Sequence, residues 1–364
     1  MGARIDTSPC SAPVWLPGGH AQTLYGALFA PSNRLRFVRE RIKTPDGDFL
    51  DLDWSAPGLV LKPKGRQINQ QGLPKPGAAT RWLEPEDKEI LTMHQDAPAL
   101  VLLHGLEGDS TSRYVQSILQ YFRARGWLVV LAHFRGCSGS PNLLARSYFS
   151  GDIDEVEFIL NAVIERCPLA HWHVAGVSLG GNALLKYLGE RAAPDRAPAA
   201  LKAAVSICAP MDLVAAGKRL SEDRLCRWLY TRYFLRSMKP KVMEKANRFP
   251  GAVDVTRVSR SKTLRDFDDA YTAPMHGYTD AMDYWEKASS KPWLPYITLP
   301  TLVINPRNDP FIPEPSLPGT TEASDAVVLH QPAEGGHMGF VTGTFPGGLT
   351  WLPSRLAKFF NTRL

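Results

Sequence analysis

The chain has 364 residues, 44% of them hydrophobic and 21% charged, which suits a globular protein whose core needs no disulfide or metal staple. No apolar run approaches the ~18 residues of a membrane-spanning helix, and MGARIDTSPC has neither the apolar core of a signal peptide nor, with Asp6 in sixth place, a myristoylation pattern. The net charge of +6 is uneven: residues 218–248 hold ten Lys/Arg against three Asp/Glu, a local +7 that leaves −1 elsewhere and argues against a general nucleic-acid-binding surface.

In chain order, Gly18-Gly19-His20 reads as a turn before a short apolar run, with His20 bracing local structure. Residues 36–55 read as a β-hairpin turning at Asp46-Gly47. Leu50, Leu52 and Trp54 alternate with acidic residues there, as on a half-buried strand. Residues 58–98 are rich in Pro, Gly and Gln and predict an exposed insertion, with a short helix in WLEPEDKEILTMHQDA. Continuous apolar runs predict buried strands at residues 99–104, 127–132, 172–175, 203–208, 301–305 and 327–330. Helical spacing falls at 113–125, 152–166, 182–188 and 352–360. Strands alternating with helices predict an α/β fold with a mostly parallel, doubly wound sheet. About ninety residues separate the strand ending at Cys208 from the one opening at Thr301, where a helical crossover needs about a dozen. The surplus predicts an inserted helical cap at 210–299, between core halves at 1–209 and 300–364.

Gly176-Val177-Ser178-Leu179-Gly180 lies between an apolar strand and a helix, the context of a G-x-S-x-G nucleophile elbow. A serine hydroxyl needs a base in reach and a third group to orient that base. Asp309 follows the strand TLVIN in NPRNDPFIP and is the candidate acid. His337, in the Gly-rich EGGHMGF, is the candidate base. Of the other eight histidines, His20 lies in the N-terminal turn, His171 and His173 flank Trp172 on the elbow strand, His104, His133 and His330 end strands, and His94 and His276 lie in the insertion and the cap, where bland roles fit them. The N–H groups of Leu106 and Leu179 are the candidate oxyanion donors. His104 braces the first of these loops, with Glu107, Asp109 and Arg113 expected to fix it by ion pairs and Arg135 to fix its neighbour. Cys137 reads as a small buried filler. Five cysteines without C-x-x-C or Cys/His metal spacing predict reduced thiols, a cytoplasmic setting and no metal.

GGHAQTL, HGLEGDSTSRY, HFRGCSGSPN, GVSLGGNALLKYLGE, SKTLRDFDDAYTAPMHGY, INPRNDPF and GGHMGF together resemble the YheT-like branch of the α/β-hydrolase superfamily. The resemblance runs from Gly18 to Phe340. It implies the α/β-hydrolase fold and a triad at Ser178, Asp309 and His337. It also implies esterase or lipase activity on short- to medium-chain acyl esters or monoacylglycerol-like lipids, in a soluble bacterial-type member with no cofactor. Phe149, in RSYFSGD, stands where the family commonly has histidine. The expected reaction is ester hydrolysis through an acyl-enzyme. Acyl transfer to an alcohol or thiol, and a non-catalytic ligand-binding protein on the same scaffold, remain as alternatives. The expected partner is a small acyl ester, with no nucleic acid. Basic and aromatic residues interleaved in RLSEDRLCRWLYTRYFLRSMKPK allow a weak peripheral membrane contact.

Overall fold

Each of the six apolar runs becomes a strand of one ten-stranded sheet. The computed structural model describes residues 2–32, 34–59, 76–94, 96–191 and 198–362. The chain forms β1 (Arg4–Asp6), α1 (Gly19–Leu28), β2 (Val38–Lys43), β3 (Phe49–Ser55), β4 (Arg81–Trp82), α2 (Pro85–Thr92), β5 (Pro98–Leu103) and α3 (Arg113–Arg123). There follow β6 (Leu128–His133), α4 (Ile153–Arg166), β7 (His171–Val177), α5 (Leu179–Glu190) and β8 (Leu201–Ile207). A helical stretch then holds α6 (Leu213–Glu222), α7 (Arg224–Cys226), α8 (Arg232–Arg248), α9 (Val255–Arg260), α10 (Leu264–Phe267), α11 (Ala273–Met275) and α12 (Ala281–Ala288). Strands β9 (Thr301–Ile304) and β10 (Val327–His330) and helix α13 (Trp351–Asn361) close the chain.

The strand order is β1-β10-β9-β8-β7-β5-β6-β3-β2-β4. All neighbours from β1 to β6 pair in parallel, whereas β3 runs antiparallel to both β6 and β2. Successive side chains of a strand face opposite ways. Val101 and Leu103 of β5 therefore join the core under α4 and α5, while Leu100 and Leu102 join the one under α3 and α13. All four are fully buried, and each such side chain stabilises the fold by about 1.5–3 kcal/mol relative to exposure. From β5 the chain winds outward to β6 on one side and then returns to β7 on the other. That reversal opens a crevice at the carboxyl ends of β5 and β7, where open α/β sheets bind ligands.

Three expectations need correction. Gly19 and His20 begin α1 rather than forming a turn, and Gly18 is its N-cap at φ 79°. Strand β3 is buried along its whole length, not on one face. Its acids alternate with apolar residues because each is paired with an arginine of β2. Asp51 binds Arg41, and Asp53 takes the Arg39 guanidinium at 2.6 and 2.7 Å, His133 Nε2 at 2.8 Å and the Ser110 hydroxyl at 2.7 Å. Burial alone would raise the pKa of Asp53, but the Arg39 and His133 charges override it and hold the carboxyl well below the usual range. The edge strands β1 and β4 were also not anticipated. Within the Pro/Gly/Gln-rich insertion, residues 60–75 lie outside the described residues. Beyond them the expected short helix is α2, with Glu84 as N-cap and Pro85 in its first turn.

Arg39→Met would leave Asp53 buried with its main counter-charge gone, and we expect it to lower unfolding free energy in urea by about 3–5 kcal/mol. The pH dependence has a sign. A depressed carboxyl pKa stabilises the fold above its unfolded value of ~4, and the benefit is lost as pH falls further. The wild-type advantage over Arg39→Met should therefore shrink on acidification.

Candidate active site

Strand β7 reverses into α5 at a single residue. Ser178 occupies that position at φ 52° and ψ −117°, a conformation L-residues adopt only where the surroundings enforce it. The enforcement comes from close packing. A Cβ on Gly176 would lie 2.5 Å from the Gly180 carbonyl oxygen, and one on Gly180 would lie 2.5 Å from that of His104. Side chains at either position would push the elbow off the sheet edge. Asn182, one turn into α5, is fully buried and fastens the helix to Ser150 and to the carbonyl of Ala288.

Asp309 lies in the loop after β9 and His337 in the loop after β10, and both reach Ser178. His337 Nε2 is 3.0 Å from Ser178 Oγ, and His337 Nδ1 is 2.8 Å from Asp309 Oδ2. The second carboxylate oxygen of Asp309 accepts the Phe311 N–H at 2.8 Å, so the acid is fixed at both ends. Phe311 also stacks on the imidazole, with ring centroids 4.0 Å apart. The histidine loop rests on α1. Its Gly335 N–H donates to Gln22, the Gly336 N–H to Asn308 and the His337 N–H to Thr23. A Cβ on Gly26 would stand 2.9 Å from the Gly339 Cα, which shows how closely α1 lies against this loop. Sequence reasoning assigned α1 no such role. His20 itself faces Tyr230, whose hydroxyl is 2.9 Å from its Nδ1.

The loop after β5 comes equally near. A Cβ on Gly105 would be 3.1 Å from the Ser178 Cβ, and the Gly105 N–H donates to the Tyr114 hydroxyl at 3.0 Å. His104 braces the loop as expected. Its Nδ1 lies 2.7 Å from the Gly105 carbonyl, and its Nε2 accepts the Phe134 N–H at 3.0 Å. Burial, reinforced by neighbouring His133, pushes its pKa down to about 3, so the ring is neutral and its tautomer fixed. Among the described residues neither the Leu106 nor the Leu179 N–H donates a hydrogen bond, and Leu179 is the first residue of α5, where the N–H has no partner within the helix.

The expected ion pairs of this loop form only in part. Glu107, at φ 57°, pairs with Lys241 of α8 at 2.8 Å and accepts the Tyr148 hydroxyl at 2.9 Å. Asp109 instead accepts from Thr111 within its own turn, and Arg113 donates to the Ala30 carbonyl. Polar groups closer at hand satisfy both. Arg135 fixes the neighbouring loop through Glu155 at 2.6 Å and Asp48 at 3.1 Å. Cys137 is buried beside it, and burial raises its thiol pKa to about 12.

A cavity of about 310 Å³ opens over Ser178 and His337. Leu213, Leu220, Met238, Val242, Phe267 and Trp285 from the helical stretch give it an apolar wall. Cys208, Asp309 and His337 bring ligand-type atoms within 4.8 Å of one another. Asp309 and His337 already bond each other, however, and burial holds the Cys208 thiol well above its usual pKa, so no thiolate is on offer. The donor set suits proton transfer between serine and histidine better than a metal ion.

Residues 98–344 match the model of the alpha/beta hydrolase fold family. The YheT protein of Escherichia coli (strain K12), named as a candidate esterase, is 33% identical over 347 residues, covering 95% of this chain and 91% of that one. Phospholipase ABHD3 of Homo sapiens is 28% identical over 95% of this chain and 77% of its own. Among solved structures, an esterase of Pyrococcus furiosus covers 100% of this chain and 99% of that one with a TM-score of 0.51 and 14% identity, a likeness of fold.

Gly180→Ala tests the elbow sterically. Its methyl group would meet the His104 and Leu103 carbonyl oxygens at 2.5 and 2.8 Å. We expect a loss of about 1–3 kcal/mol in denaturant unfolding, against a change within ~0.5 kcal/mol for a Gly→Ala replacement at Gly348, where a Cβ would meet nothing within 4 Å.

Proposed function

The chain belongs to the α/β-hydrolase family, in its YheT-like branch, and is a carboxylic ester hydrolase; we propose that it works through Ser178, His337 and Asp309 by way of an acyl-enzyme. The hydrogen-bonded line from Asp309 through His337 to Ser178 carries this reading. Ser178 Oγ attacks the ester carbonyl as His337 Nε2 takes its proton. Asp309 holds the imidazole by accepting from Nδ1–H and stabilises the imidazolium. The N–H groups of Leu106 and Leu179 receive the oxyanion beneath the apolar wall of the cavity. The C–O bond then breaks and the alcohol leaves with the proton from His337. Water, deprotonated by the same imidazole, releases the acid and restores the serine.

The substrates we propose are short- to medium-chain acyl esters or monoacylglycerol-like lipids. An apolar cavity of about 310 Å³ over the serine supports this, as do relatives named for esterase and phospholipase activity. In this reading residues 210–299 act as a cap that walls the acyl chain. The Glu107–Lys241 pair ties that cap to the oxyanion loop, so Lys241 positions the Leu106 N–H. Five buried, unpaired thiols fit action in a reducing compartment such as the cytoplasm.

A fluorophosphonate probe should label the wild type and leave Ser178→Ala unlabelled, with His337→Ala and Asp309→Asn slowed by about 10³-fold or more. A folded wild type that resists the probe, or a Ser178→Ala protein that still labels and turns over, would overturn the assignment. Lys241→Met should lower kcat by up to about 100-fold, and Lys241→Arg should restore much of it. Equal loss in both variants would assign the residue to substrate contact instead.

A further inference from the structure

The segment from Arg224 to Arg236 has two faces. Helix α7 passes through a π turn at Arg227–Thr231 into α8. On the inner side Cys226, Tyr230 and Leu235 are buried, and Phe234 and Met238 reach the cavity wall. On the outer side Trp228 is 67% exposed, Tyr233 65% and Leu225 48%. Arg224, Arg227, Arg232 and Arg236 are exposed among them. None of the four forms an ion pair among the described residues, although the charge of Arg227 reaches Asp266, whose carboxylate already accepts the Lys262 and Thr263 N–H groups. Of the other nearby acids, Asp223 is occupied capping α7 through the Cys226 N–H, which leaves Glu222 exposed alongside Asp266. Water therefore meets Leu225, Trp228 and Tyr233 among four guanidinium groups that outnumber the nearby carboxylates and form no ion pair among the described residues.

We propose that this strip docks the protein on an anionic lipid surface. Trp and Tyr settle at the depth of lipid headgroups, where the ring is half apolar and its polar atom stays wet. Arginines keep their charge at the phosphates while their stems lie along the apolar layer. A nucleic-acid duplex would match the charge, but its bases are stacked and paired inside the helix and its phosphate backbone offers Leu225 and Trp228 no apolar layer. Docking here places the lipid against the helix whose other face walls the cavity over Ser178. The contact is electrostatic at long range and apolar at short range, so salt and ring removal weaken it separately.

The test is co-sedimentation with vesicles of equal parts phosphatidylglycerol and phosphatidylcholine, and with phosphatidylcholine alone, at low and high salt. The variants are Trp228→Ala and the joint Arg224→Gln, Arg227→Gln, Arg232→Gln, Arg236→Gln protein. Their circular dichroism and their turnover of a water-soluble short-chain ester should match wild type, since none of these side chains lines the cavity. The proposal expects wild type to pellet with anionic vesicles and not with neutral ones. The fourfold variant should bind about 100-fold more weakly or worse, and Trp228→Ala should bind measurably more weakly at every salt concentration. Absence of pelleting at low salt overturns the proposal, as does wild-type binding by the fourfold variant. Unchanged binding by Trp228→Ala, together with full competition by a single-stranded oligonucleotide, would show a mere polyanion site and overturn it as well. None of these outcomes depends on whether Ser178 is the nucleophile.

Discussion

The close approach of backbone to backbone around Ser178 is the constraint on which the site depends. One residue carries the chain from β7 into α5 at a strained φ of 52°. It can do so because Gly176 and Gly180 let carbonyl oxygens come within distances a Cβ would occupy. The loop after β5 closes over the same point, with Gly105 against the serine side chain. Strain of this kind costs about 1–3 kcal/mol and persists only under surrounding order. Here the order is a sheet whose central strands are buried on both faces.

Three buried polar groups do much of the remaining positioning, each through partners suited to it. His104 is neutral and bridges two loops, the one after β5 and the one after β6. Asp53 is ionised between Arg39 and His133. Asp309 has one oxygen for the backbone and one for His337. The helical stretch is attached to this framework at Glu107–Lys241 and at Asn182–Ala288. A movement of α8 would be felt at the loop bearing Leu106. The outer face of the same segment carries the exposed arginines and rings, so a single run of helix meets solvent, the cavity and the loop after β5.

Much of this was legible in the sequence because it rests on strong local patterns. Continuous apolar runs gave β5 to β10 within a few residues. The glycines around Ser178 and the order serine, acid, histidine singled out the three residues that the structure brings into hydrogen-bonding distance. What was missed depends on partners distant in sequence. Acids alternating with Leu50, Leu52 and Trp54 look the same whether they face water or the arginines of β2, and only the packing of β3 between β2 and β6 decides. Strands of three and two residues, β1 and β4, have no period to detect. Glu107 was expected to pair near home and instead finds Lys241, while Asp109 and Arg113 prefer neighbouring backbone groups.

The central claim is that Ser178 carries the acyl group between the two halves of the reaction. Mass spectrometry of the protein quenched during turnover of a 4-nitrophenyl ester tests it most directly. The account predicts a mass increase equal to the acyl group, located on the peptide containing Ser178 and absent from Ser178→Ala. Release of 4-nitrophenol at the wild-type rate by Ser178→Ala, or an acyl group found on another residue, would contradict it.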